Sequence, residues 1–175
     1  MEKSEEISSK FWNLPQKPEE ELNRETTFID DIIQKAHIEK EILSSLDGIK
    51  TVFDGGAGYG RFSILLAKRG FQVTHFDISA PMIEKAKEIA HKEGAGDNMT
   101  FIHGSLENLE QFHDRQFDMV LSFDSPISYT YPHQNQVIPE LIRLCSKRII
   151  IGVYCRLAWT YLFDPAQKMK YILNE

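Results

Sequence analysis

This sequence predicts an α/β fold built on one doubly wound, parallel sheet, and three observations lead there. Apolar or β-branched runs of strand length recur five times, at residues 51–53, 71–76, 99–102, 117–123 and 148–154. The intervals between them carry apolar residues at helical spacing, so strand and helix alternate. Parallel neighbours need a crossover connection, which is right-handed, and repeated crossovers place helices on both faces of the sheet. The third observation is a glycine-rich segment directly after the first run, where such a sheet places its first strand-to-helix turn.

The bulk properties agree with one compact domain. A chain of 175 residues buries a substantial core and is too short for two ordinary domains. Apolar residues make up 42% and charged residues 26%, a globular composition and not a disordered or disulfide-framed one. A net charge of −6 argues against binding nucleic acid through phosphate neutralisation. Cys145 and Cys155 have neither metal-knuckle spacing nor enough partners for a disulfide framework, so both are read as buried, reduced thiols and no metal site is assigned. The charged N-terminus has no signal-peptide apolar run and no stretch is long enough to span a membrane, which makes the cytoplasm the expected location.

Residues 1–22 are rich in Glu, Lys and Ser and broken by Pro15 and Pro18, a composition expected of a mobile arm preceding a single domain at 23–175. Phe11 and Trp12 either anchor that arm or fold over a ligand. Phe28, Ile29, Ile32, Ile33, Ala36, Ile42, Leu43 and Leu46 then predict a long amphipathic helix before the sheet begins. The first crossover helix is signalled by Phe62, Leu65 and Leu66 and closed by Gly70. The second follows Met82, Ile83, Ala86, Ile89 and Ala90, with Ser79 as its cap and Pro81 in its first turn. A short, weakly periodic helix is expected after Ser105. The last crossover helix carries Val137, Ile138, Leu141, Ile142 and Cys145.

The chemistry concentrates in the segment Asp54, Gly55, Gly56, Ala57, Gly58, Tyr59, Gly60, Arg61. Its glycines let the backbone turn sharply and let a ligand approach the main chain, while the following helix presents unpaired N–H groups. A purely structural corner needs one or two glycines, not four. The dinucleotide pattern G-x-G-x-x-G started at Gly56 requires a small residue where Arg61 stands, and started at Gly58 it meets Ser63. The second strand ends in Asp77, placed to accept both hydroxyls of an adenosine ribose.

An acid on the first strand followed by glycines at alternate positions, with a second acid ending the next strand, resembles the class I S-adenosylmethionine-dependent methyltransferases. The resemblance covers about residues 28 to 155. It implies a Rossmann-like sheet of strand order 3-2-1-4-5 and S-adenosyl-L-methionine as cofactor. It implies cofactor contacts from Asp54, Gly55, Gly56, Ala57, Gly58, Gly60 and Asp77, with Ile78 and Met82 on the adenine and the loop of Ser105 and Leu106 at its edge. The family usually has an acid where Ser105 stands. The resemblance also places Phe123, Asp124 and Ser125 beside the transferred methyl group. The family sheet ordinarily has seven strands, and the residues after Cys155 are too few for the last helix and two strands. The expectation is therefore five strands with the sixth and seventh missing, and either a C-terminally incomplete domain or a fifth strand whose edge is covered or paired in a homodimer.

Methyl transfer from a sulfonium is an in-line displacement on an already activated carbon, so a general base is needed only for an acceptor protonated at neutral pH. Asp124 and His133 are the catalytic candidates, one at the end of the fourth strand and one on the loop beyond it. Tyr129, Tyr131, Tyr154 and Trp159 are candidates for an aromatic acceptor pocket. The reading is a methyltransferase acting on a small molecule, with nucleic acid and membrane disfavoured as partners. The alternative is a non-catalytic S-adenosylmethionine-binding module or one lobe of a larger assembly. A nicotinamide-dependent oxidoreductase is disfavoured by Arg61.

Overall fold

The computed structural model describes residues 4–27, 29–124 and 126–152. Three helices, α1 (Ser4–Trp12), α2 (Lys17–Thr27) and α3 (Ile29–Ser44), precede β1 (Thr51–Gly55). Then come α4 (Arg61–Ala67), β2 (Gln72–Asp77), α5 (Ala80–Lys92), β3 (Met99–His103), β4 (Phe117–Ser122), α6 (Gln134–Leu144) and β5 (Cys145–Ile151). The sheet order is β3-β2-β1-β4-β5 and every pairing is parallel, the doubly wound order expected from the sequence. Order reverses between β1 and β4. The crevice at the carboxyl ends of those two strands is where such sheets bind ligands.

Period-two alternation assigns the side chains to two faces. Val52, Val73, Met119 and Leu121 enter one apolar cluster with Ile42 of α3, Leu66 of α4 and Ala90 of α5. Phe53, Phe76 and Val120 enter the other, with Leu141 and Leu144 of α6, and Phe117 joins them because the irregularity between Phe117 and Met119 puts it out of step with the alternation. Phe53 is the hub of that second cluster, its ring 5.2 to 5.5 Å from those of Phe76, Phe112 and Phe117.

The structure departs from the sequence expectation in three places. Where composition suggests an arm, residues 4–27 form α1 and α2. α2 lies against α3 and α5, with Glu19 ion-paired to Lys85, and α1 and the turn after it are attached by a few specific hydrogen bonds that composition does not register. The Asn13 side chain donates to the Ile78 carbonyl and accepts from the Ala80 N–H (3.4 and 3.0 Å), and the Ser79 hydroxyl donates to the Trp12 carbonyl (2.6 Å). The helix expected after Ser105 is instead a series of turns, in which Leu106, Leu109 and Phe112 are buried beneath the sheet without helical hydrogen bonding. Cys145 lies not on a helix but at the start of β5, half buried and paired with Phe117, because the chain becomes extended directly after Leu144. Residues 153–175, with Cys155, Tyr154, Trp159 and the question of further strands, lie outside the described residues. Among the described residues no helix is long and apolar enough to cross a membrane.

Phe53 is fully buried among three aromatic rings, so Phe53→Ala opens a cavity that its rigid neighbours cannot fill. The expected loss is roughly 3 to 5 kcal/mol of unfolding free energy, measured by denaturant titration.

Candidate functional site

The site begins with backbone. Gly56 N–H and Ala57 N–H both donate to the Phe76 carbonyl (2.8 and 3.2 Å), so the turn after β1 is pinned to the end of β2. Gly56 has φ +73, and a Cβ there would lie 2.3 Å from Cβ of Pro126, so glycine is required for Pro126 to pack on the turn. Gly58 has φ +58, yet a Cβ there would meet no protein atom within 4 Å. Its N–H donates to Asp77 Oδ2 at 2.7 Å, while the Ser79 N–H donates to Asp77 Oδ1 at 2.7 Å. An ionised carboxylate offers about four acceptor positions. Two of Asp77's are filled by backbone, and two remain for a ligand.

Around this turn lies a cleft with about 1000 Å³ of free space, counting the part that opens to solvent. Asp54, Gly56, Gly58 and Asp77 form its floor, Ile78, Met82, Ser105 and Leu106 one end, and Phe123, Asp124 and Tyr129 the other. Glu5, Ser8 and Trp12 of α1 also line it. α1 is held there by the Ser8 hydroxyl, which donates to the Tyr129 carbonyl (3.0 Å), and by an edge-to-face contact of Trp12 with Tyr129.

Two carboxylates in the cleft are held away from their ordinary state by burial. Desolvation pushes Asp54 up to about 6, opposed by the hydrogen bonds from Ser63 and by Lys35 and reinforced by Asp77. Desolvation likewise raises Asp77, opposed by the N–H groups of Gly58 and Ser79. Behind Asp54, His75 is pulled down to about 4, mainly by burial, with the Gly58 backbone acting in the opposite sense. At the far end Lys35, almost wholly buried, donates its Nζ hydrogen to Asp124 Oδ2, and Arg24 Nη2 lies 3.9 Å from the same oxygen.

An acid and a glycine turn ending one strand, a second buried acid ending the next, and an apolar wall between them match what the sequence resemblance implied. The methyltransferase domain family matches residues 52–148, more than half of the chain. The chain belongs to that family. Its fold and relatives place it in the class I S-adenosylmethionine-dependent group. It is similar to a tRNA 5-carboxymethoxyuridine methyltransferase of Escherichia coli K12, 40% identical over 70 residues, which cover 40% of this chain and 27% of that protein. It is also similar to the chloroplastic magnesium protoporphyrin IX methyltransferase of Arabidopsis thaliana, 36% identical over 109 residues, covering 62% of this chain and 33% of that one. The crystal structure of a magnesium protoporphyrin IX methyltransferase from Synechocystis with bound S-adenosylmethionine superposes with a TM-score of 0.67 at 25% identity, covering 86% of this chain and 76% of that one. The chain spans about a third or less of the length of these two curated relatives.

For this methyltransferase-family chain, the cleft gathers most of the residues singled out from sequence. Asp54, Gly56, Ala57, Gly58, Asp77, Ile78, Met82, Ser105, Leu106, Phe123 and Asp124 all line it. Gly55 and Gly60 do not; Gly55 ends β1 and Gly60 caps α4. His133 also lies outside the cleft, at the start of α6, its Nε2 4.0 Å from Glu107 Oε2. Of the aromatic candidates Tyr129 lines the cleft, while Tyr131 points to solvent. Sequence reasoning missed Lys35, Tyr59, Glu5 and Ser8, whereas Trp12, which also lines the cleft, was among the residues expected either to anchor the arm or to fold over a ligand. Lys35 left a readable signal, since it sits at helical spacing from Ile38 and Ile42 on the buried face of α3, where a charged side chain needs a partner.

Two outcomes are expected. Gly58→Ala and Gly70→Ala carry the same left-handed strain, each about 1 kcal/mol, and meet no neighbouring atom, but only Gly58 lines the cleft. Calorimetry with S-adenosylhomocysteine is expected to show weakened binding for Gly58→Ala and unchanged binding for Gly70→Ala. The second concerns pH. Asp54, raised from 3.8 to about 6, contributes stability that is present below its unfolded value and lost as pH rises through 6. His75, lowered from 6.5 to about 4, contributes stability that is present above 6.5 and lost as pH falls through 4. Between about pH 4 and 6 the two slopes cancel. Relative to wild type, Asp54→Asn is therefore expected to gain stability with rising pH in that window and His75→Phe to lose it. Each slope is about 1.4 kcal/mol per pH unit, read by thermal or urea unfolding.

Proposed function

We propose that this chain binds S-adenosylmethionine in the cleft and passes its methyl group to a small-molecule acceptor by in-line displacement. The observation that carries the reading is Asp77, a buried carboxylate at the tip of β2 with two acceptor positions left after Gly58 and Ser79 have donated. That pair suits the two hydroxyls of an adenosine ribose. Ile78, Met82 and Leu106 supply an apolar wall for the adenine, with the Ser105 hydroxyl in place of the family's usual acid. Ser105 Oγ already accepts from the Glu107 N–H (3.2 Å), which leaves its proton for the base. The open face of Gly58 gives room for the cofactor chain, and Asp54 provides negative charge for the cationic end of the molecule.

The bound cofactor supplies a sulfonium-activated methyl carbon. The residues of this chain then need to orient the acceptor and keep water out. Phe123 and Tyr129 offer apolar surface at the acceptor end, and α1 roofs the cleft. Asp124 is engaged by Lys35 and so acts as an anchor for that end in preference to a proton acceptor. His133, outside the cleft, is not assigned a role. This arrangement favours an acceptor atom that is already unprotonated at neutral pH. A roofed cleft edged by Glu5, Glu21 and Glu107 also supports a small acceptor over a phosphate-bearing polymer.

Calorimetric titration with S-adenosylmethionine, S-adenosylhomocysteine and NADH tests the reading. The first two are expected to bind and NADH to give no heat, and Asp77→Ala is expected to weaken both by about a hundredfold, the loss of two charge-assisted hydrogen bonds. NADH binding, or silence toward both sulfur nucleosides, would overturn it.

A further inference from the structure

Behind the glycine turn, three buried polar side chains form a line that starts at Asp54 on the cleft floor and leads away from it through Ser63 and His75. In the parallel register of β1 and β2, Asp54 is opposite His75, so both side chains project to the same face of the sheet. α4 covers that face and places Ser63 between them. The Ser63 hydroxyl donates to Asp54 Oδ2 at 2.6 Å and lies 3.1 Å from His75 Nδ1. Ser63 and His75 are wholly inaccessible to solvent, and among the described residues His75 Nε2 has no hydrogen-bond partner.

We propose that Ser63 and His75 are positioning residues that hold Asp54 in its ionised form, aimed at the cationic end of the cofactor. The proposal rests on the cleft being the S-adenosylmethionine site. A hydroxyl has one proton to give. When Ser63 gives it to Asp54, its lone pairs face His75, and the bond between them requires the Nδ1–H tautomer. That donation removes the hydroxyl rotamers in which the proton turns away from Asp54. The same tautomer leaves the Nε2 lone pair without a hydrogen bond among the described residues and close to the Gly58 backbone, a cost that the relay has to carry. A phenylalanine or leucine would fill this position without an unsatisfied nitrogen, so packing alone does not account for a histidine. His75 also lies close behind the turn, its Cε1 3.5 Å from where a Cβ on Gly60 would stand.

The charged groups acting on Asp54 are Asp77 at the tip of β2, which disfavours its ionisation, and Lys35 on α3, which favours it. Desolvation is the largest influence and also disfavours the anion. Ser63 is the principal counterweight, and His75 keeps Ser63 pointing the right way. Loss of the relay should therefore move the loss of affinity for a cationic amino-acid end to higher pH, without touching the adenosine end.

The experiment measures the affinity of S-adenosylhomocysteine, which carries the α-ammonium, and of 5′-methylthioadenosine, which lacks the amino-acid end, between pH 5 and 8. In wild type the ratio of the two affinities is expected to fall as pH drops through about 6. In His75→Phe and Ser63→Ala the fall is expected to begin at higher pH, with S-adenosylhomocysteine about tenfold weaker at pH 7 and 5′-methylthioadenosine within twofold of wild type. His75→Asn, whose amide can donate to Ser63, is expected to restore most of the profile. An unshifted profile in His75→Phe, or equal loss of both ligands without rescue by His75→Asn, would overturn the relay while leaving the cofactor site standing. Failure of wild type to bind either ligand would overturn both. Nitrogen-15 chemical shifts of His75 in the wild-type protein give an independent reading, an Nδ1–H tautomer supporting the relay and an Nε2–H tautomer overturning it.

Discussion

The bond from the Gly58 N–H to Asp77 joins the two turns from which the site is built. Parallel strands end on the same edge of the sheet, but that alone leaves two loops free to separate. Here the turn after β1 gives three hydrogen bonds to the end of β2, from Gly56 and Ala57 to the Phe76 carbonyl and from Gly58 to the Asp77 carboxylate. Asp77 is fixed in turn by the Ser79 N–H at the cap of α5. The carboxylate is thereby oriented before any ligand arrives, at the expense of burying a negative charge close to a second one on Asp54. Preorganisation of this kind lowers the ordering cost of binding, and the raised proton affinity of both acids is its electrostatic counterpart.

The same edge explains how the N-terminal helices come to roof the cleft. α1 does not pack through a large apolar face. Phe11 and Ile7 remain substantially exposed. It is attached instead by polar groups that reach the loops after β2 and β4, Asn13 and the Trp12 carbonyl on one side and Ser8 on the other. Ser79 serves both structures, accepting from the Met82 N–H as the cap of α5 and donating to Trp12. A segment held in this way depends on the conformation of the cofactor loop, so its docking and the order of residues 77–80 are linked.

Much of this was legible in the sequence because it follows from periodicity. Val52 and Phe53 alternate faces as a strand buried on both sides must, and the Gly-rich segment with Asp54 and the distant Asp77 marked both turns of the cleft. What was not legible depends on contacts between elements far apart in the chain. Composition made residues 1–22 an arm because their attachment resides in single contacts with distant residues, among them Ile78, Ser79, Ala80, Lys85 and Tyr129. His133 looked like a base because a loop after β4 faces the acceptor in general, whereas its actual place at the start of α6 directs it toward Glu107. Lys35 sat in plain view at a buried helical position, but its meaning depends on Asp124, 89 residues away.

His75 shows the same limit from the other direction. Within Gln72 to Asp77 it is one of four polar residues, with Gln72, Thr74 and Asp77, and by itself fits an edge, a ligand or a tolerated core position. The register of β1 against β2 sets it opposite Asp54, and the pitch of α4 sets Ser63 above both. None of the three residues is unusual alone. Their combination is costly to bury, since an acid raised to about 6 and an imidazole lowered to about 4 each resist the charge that water would allow. Opposite shifts on neighbouring groups nearly cancel in the pH dependence of stability between those values. The Asp54 and His75 pair therefore adds little pH dependence of its own in that range, and the raised proton affinity of Asp77 is the part that His75 does not offset.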